Sequence, residues 1–76
     1  MYFNIDMKNN EFGIKLKELR IERNLSQKEL GIKLGVCNQT ISFWELGSRD
    51  PDLDSLIKIS NFFNVSTDYL LNNEEI

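Results

Sequence analysis

The chain has no histidine and a single cysteine, Cys37, among its 76 residues. Without histidine the commonest general base is missing, which argues against hydrolase and transferase chemistry. One thiol and no imidazole make a poor metal-ligand set. No disulfide can close within the chain, and a lone cysteine suits a reducing compartment. Proline is equally scarce, with only Pro51 to interrupt a helix. No apolar run approaches the roughly 18–20 residues of a membrane span. The opening stretch "MYFNIDMKNN" lacks the basic start and apolar core of a signal peptide. These absences predict a cytoplasmic protein of one small domain, with no catalytic residues, no metal, no cofactor, no membrane partner and no evident small-molecule ligand.

What is present is unevenly charged. Residues 1–51 carry eight of the nine Lys/Arg and seven of the twelve Asp/Glu, whereas residues 52–76 carry one lysine and five acids. The formal net charge of −3 therefore hides a nearly neutral first part and an acidic end, which matters if the first part meets a polyanion.

Helical punctuation is frequent. Residues 11–23 place Phe12, Leu16 and Leu19 at helical spacing, with Asn10 as N-cap and Asn24 as a left-handed stop. In "SQKELGIKLG", Ser26 and Glu29 form a capping box and Leu25 and Leu30 a hydrophobic staple. Leu30 and Leu34 face inward with Ile32 at the margin, and Gly35 ends the helix. Gly31 is costly in mid-helix, by about 1 kcal/mol against alanine, and implies close approach of another backbone. A third helix spans 38–46, with Cys37 at its cap, Ile41 and either Trp44 or Phe43 giving apolar contacts, and Gly47 ending it. Asp52 caps a fourth helix, 53–63, with Leu53, Leu56, Ile57, Ser60 and Phe63 inward. Asn64 closes it, Val65 fills the core, and Ser66 caps a short fifth helix. The expectation is an all-α, compact five-helix bundle over 11–71. It would be preceded by an extension, 1–10, that is either a short strand or disordered, and followed by a frayed tail, 72–76.

Two helices joined by a short glycine-containing turn make a helix-turn-helix, whose second helix enters the DNA major groove. The turn here is "LGVC". Ser26, Gln27, Glu29, Leu30, Leu34, Gly35, Val36, Thr40, Ile41, Ser42, Trp44, Glu45, Gly47, Arg49, Pro51, Leu53, Leu56, Ile59, Asn64, Val65, Ser66, Tyr69 and Leu70 stand as they do in Xre-type, phage-repressor-like (lambda-repressor-like) helix-turn-helix proteins. The resemblance runs from about Phe12 to Leu71. It implies a DNA-binding transcriptional regulator of a bacterium, phage or plasmid, a repressor in the first instance. Such a protein binds a palindromic double-stranded operator as a homodimer.

Carried over by position, the resemblance places Asn38, Gln39, Ser42 and Phe43 at base edges. Gln27 and Arg49 fall at phosphates, and Lys28, Lys33, Thr40 and Lys15 are further candidates for that task. Arg20 and Glu45 match a structural ion pair. The chain departs from the family pattern at Gly31 and Ser60, both commonly alanine, at Phe43, commonly polar or basic, and in the acid-containing loop "GSRDP".

The residue types suit the task. Asn and Gln bond bidentately to adenine N6 and N7, Ser bonds to several bases, and Phe can cover a thymine methyl. Phe43 is equally readable as local packing, and Asn38, Gln39 and Ser42 as a solvated helix face. Cys37 at a helix N-terminus suggests a redox switch or simply a small, partly buried residue. Phe62, Tyr69 and Leu71, with Ile76, are candidate dimer contacts. Phe3, Ile5 and Met7 alternate with polar neighbours and could pack on Ile14 and Ile21 of the first helix, or pair with a second subunit. The rival function is a protein-interaction module, such as an antitoxin or accessory subunit.

Overall fold

The computed structural model describes residues 11–71. The expected N-terminal strand, the Asn10 cap and the C-terminal tail with Ile76 lie outside these residues. Five helices follow in order: α1 (Glu11–Glu22), α2 (Gln27–Leu34), α3 (Asn38–Leu46), α4 (Leu53–Phe63) and α5 (Thr67–Leu70).

The ends of the helices follow from side-chain chemistry. At α2 the Ser26 hydroxyl accepts from the Glu29 N–H at 2.9 Å, while the Glu29 carboxylate accepts from the Ser26 N–H at 2.8 Å. Asp52 and Ser66 cap α4 and α5 by accepting from the Ser55 and Tyr69 N–H groups, each at 2.9 Å. Asn24, Gly35, Gly47 and Asn64 all take positive φ, which turns the chain out of α1, α2, α3 and α4.

One core holds the bundle. Phe12 and Leu16 of α1, Leu30 and Leu34 of α2, Ile41 and Trp44 of α3, Leu56, Ile59 and Phe63 of α4 and Leu70 of α5 are all buried. Complete burial of a side chain such as Leu16 or Ile59 contributes about 1.5–3 kcal/mol. Leu19, Leu25, Val36 and Val65 pack against this core from its margin. Ser60 is buried too, and its hydroxyl donates to the Ile57 carbonyl at 3.1 Å.

The inward stripe of α4 differs from the expected one. Leu56, Ile59, Ser60 and Phe63 are buried, whereas Leu53 and Ile57 are 71% and 48% exposed. The buried set has the i, i+3, i+4, i+7 spacing of one helix face, and Leu53 and Ile57 lie farther round the helix. Ile32 likewise faces solvent instead of the core margin.

Gly31 lets α2 pack closely on the backbone that follows it. A Cβ built there would lie 2.6 Å from the Val36 carbonyl oxygen and 3.3 Å from the Cys37 carbonyl carbon. The backbone that α2 meets so closely is therefore the turn leading into α3.

Candidate nucleic-acid interface

Three buried side chains seat α3: Ile41, Trp44 and Glu45. Successive helix residues are rotated by about 100°, so Gln39, Ser42, Phe43 and Leu46 share the opposite, outward side. Asn38 and Gln39 are exposed, and Ser42, Phe43 and Thr40 are half-buried. The end of this outward face nearer the N-terminus is polar and uncharged. The end nearer the C-terminus is apolar, because Leu46 is 69% exposed. Sequence reasoning passed over Leu46, although its position seven residues after Gln39 and three after Phe43 was the available signal.

Glu45 is the buried link between three helices. Its carboxylate accepts from Arg20 Nε at 2.6 Å and Nη2 at 3.1 Å, and from Gln27 Nε2 at 3.0 Å. Arg20 also donates from Nη1 to the Leu25 carbonyl at 2.9 Å. A bidentate charge-assisted pair of this kind fixes orientation as well as position. Gln27, which the resemblance places at a phosphate, therefore also has a partner inside the fold. Its amide has two N–H groups, and one is engaged by Glu45, which orients the other.

At the N-terminus of α3, Cys37 is the cap and is exposed. Its Sγ lies 3.3 Å from Thr40 Oγ1. The Thr40 hydroxyl, with the Thr40 and Gln39 backbone N–H groups, holds the thiol pKa below its ordinary value. Cys37 is therefore exposed, not the partly buried small residue that the sequence also allows.

At the other end, Gly47 turns the chain back. The Ser48 and Arg49 N–H groups both reach the Phe43 carbonyl, at 2.9 and 3.4 Å. The Arg49 guanidinium carbon lies over the Phe43 ring, 4.8 Å from its centroid. Phe43 therefore packs locally, against an arginine, and remains on the outward face.

The other cations divide. Lys28 and Lys33 are exposed on α2. Lys15 Nζ lies 5.0 Å over the Tyr69 ring, which ties α1 to α5. Arg23 lies over Phe62 and Phe63, at 5.6 and 5.3 Å, and donates to the Phe63 carbonyl at 3.4 Å. Phe62, Tyr69 and Leu71 are each half-buried against the core. No helix is long and apolar enough to cross a membrane, and no group of three metal-ligating side chains occurs, among the described residues.

This geometry has close counterparts. A family model described as helix-turn-helix matches residues 16–70. The HTH-type transcriptional regulator ImmR of Bacillus subtilis is 48% identical over 64 residues, covering 84% of this chain and 50% of that protein. The HTH-type transcriptional activator BcrR of Enterococcus faecalis is 46% identical over 66 residues, covering 87% of this chain and 32% of that protein. The chain therefore spans half or less of the length of these two relatives. The P22 c2 repressor protein, solved in complex with a synthetic operator, superposes with a TM-score of 0.78 at 32% identity, over 83% of this chain and 96% of the other.

Proposed function

The chain belongs to the helix-turn-helix family, and on that premise we propose that it is a sequence-specific DNA-binding transcriptional regulator, acting as a repressor. The observation that carries the proposal is the outward face of α3. Gln39 and Ser42 on that face, with exposed Asn38 at the first position of the helix, present hydrogen-bonding groups without charge, on a helix fixed from behind by Ile41, Trp44 and the Arg20–Glu45 pair. Such groups read base edges, while cations placed at phosphates supply affinity that is blind to sequence. Lys28 and Lys33, the oriented amide of Gln27 and the Thr40 hydroxyl would meet phosphates on either side of the groove.

Binding as a homodimer on a palindrome belongs to the same reading, with one α3 per half-site and half-sites about one helical turn apart. Phe62, Tyr69 and Leu71 offer one half-buried surface to a second copy, with Arg23 lying over the Phe62 ring and Lys15 over the Tyr69 ring. Leu53 and Ile57 offer another, more exposed one. Sedimentation of Phe62→Ala and Ile57→Glu distinguishes them, since only the variant in the true interface shifts to monomer.

The test of function is selection from random duplex DNA at moderate salt. Enrichment of a palindrome supports the proposal. Recovery of no sequence over background rejects it.

A further inference from the structure

We propose that Phe43 and Arg49 form a single composite reader of a thymine beside a guanine, with Phe43 on the thymine methyl and Arg49 on guanine O6 and N7. The inference rests on the reading that α3 lies in the major groove, and it moves Arg49 from a phosphate to a base.

Two independent contacts hold Arg49 on Phe43. The left-handed turn at Gly47 brings the Ser48 and Arg49 N–H groups to the Phe43 carbonyl. The guanidinium then covers the ring at 4.8 Å. Phe43 shares the outward side of α3 with Gln39 and Ser42, so the guanidinium is carried to the surface that would face base edges.

The chemistry of each group selects its target. A phenyl ring has no donor or acceptor, and the apolar feature of the major groove is the C5-methyl of thymine. A guanidinium offers only donors, in a rigid fork that matches the paired acceptors of guanine. Held on an aromatic face, it loses less conformational freedom on binding than a free arginine would. The arrangement also explains why α3 can lack a basic residue in its last turn: the loop supplies the cation.

The first arm of the test uses the duplex selected by the unmodified chain and alters only the DNA. Thymine is replaced by deoxyuracil, which removes only the methyl group, and separately guanine by 7-deazaguanine, which removes only N7. Each replacement at the reader's position should weaken binding at least about fivefold, the low end of a specific base contact. Phe43→Ala and Arg49→Ala should each abolish sensitivity to their own replacement and reduce sensitivity to the other, with folding checked by circular dichroism. A selected palindrome without a thymine–guanine step, or full affinity for both modified duplexes, overturns the composite reader and leaves the regulator standing. Failure to select any sequence overturns both.

Discussion

Arg20 and Glu45 meet through two hydrogen bonds, of 2.6 and 3.1 Å, across 25 positions of the chain. The pair is shielded, with side-chain exposures of 12% and 4%. It joins α1 to the back of α3, and Gln27 adds α2 to the same carboxylate. Removing one partner strands the other charge. Arg20→Met or Glu45→Leu alone should therefore cost about 3–5 kcal/mol of stability. The double substitution should be much milder, because no buried charge is left unpaired. Urea denaturation of the three variants and the parent checks this as a double-mutant cycle.

Gly31→Ala raises helix propensity by about 1 kcal/mol. It also drives a methyl group to 2.6 Å from the Val36 carbonyl, a backbone atom that cannot swing aside. Overpacking of this kind costs about 1–3 kcal/mol. The net expected result is a lower thermal midpoint, together with weaker operator binding, because the strain is relieved by moving α3. An unchanged or higher midpoint would show that the turn yields freely.

The Ser55 side chain, and then the Ser55 N–H that Asp52 accepts, hold the Asp52 pKa below the ordinary carboxylate value. A depressed pKa in the fold means that the stabilisation is fully present above the unfolded value, about 3.9. It is lost as pH falls through the lower folded value. Asp52→Asn keeps an N-cap acceptor without a titrating group. Thermal midpoints measured from pH 6 down to pH 2 should therefore fall less steeply in Asp52→Asn than in the parent.

Cys37 should react with iodoacetamide at a lower pH than a free cysteine. Thr40→Val should move that reaction back toward the ordinary range, since the hydroxyl is the first cause of the lowered thiol pKa. Cys37→Ser should leave operator affinity unchanged. Competition between alkylation and a reference thiol across pH reads the first effect, and anisotropy on labelled operator reads the second.

Much of this architecture is legible in the sequence because its boundaries are chemical. Ser26 with Glu29, Asp52, Ser66 and the left-handed Asn24, Gly35, Gly47 and Asn64 mark helix ends through local bonds. What the sequence leaves unresolved depends on directions in space. Leu53 and Ile57 are as apolar as Ile59, and only the packing of α4 against its neighbours decides which of them is buried. Ile41, Trp44 and Phe43 lie within four positions, and the anchoring of α3 alone determines that Phe43 points outward. The contact between Arg49 and that ring spans a helix end and depends on the path taken after Gly47. The bond from Gln27 to Glu45 likewise requires the crossing of α2 and α3, which Gly31 permits.

The salt dependence of operator binding should be moderate. With two or three cations near phosphates in each half-site, log K against log salt should have a slope of about −4 to −5 for a dimer. A slope near zero, from titrations between low and physiological salt, would mean that α2 and α3 do not approach the phosphates.

The most direct measurement is the ratio of affinities for the selected operator and a scrambled duplex, in the parent and in Asn38→Ala/Gln39→Ala. The parent should prefer its operator by at least about a thousandfold. The double variant should lose about tenfold or more of that ratio, while its affinity for the scrambled duplex stays the same. A ratio unchanged by the two substitutions would contradict the assignment of base reading to α3.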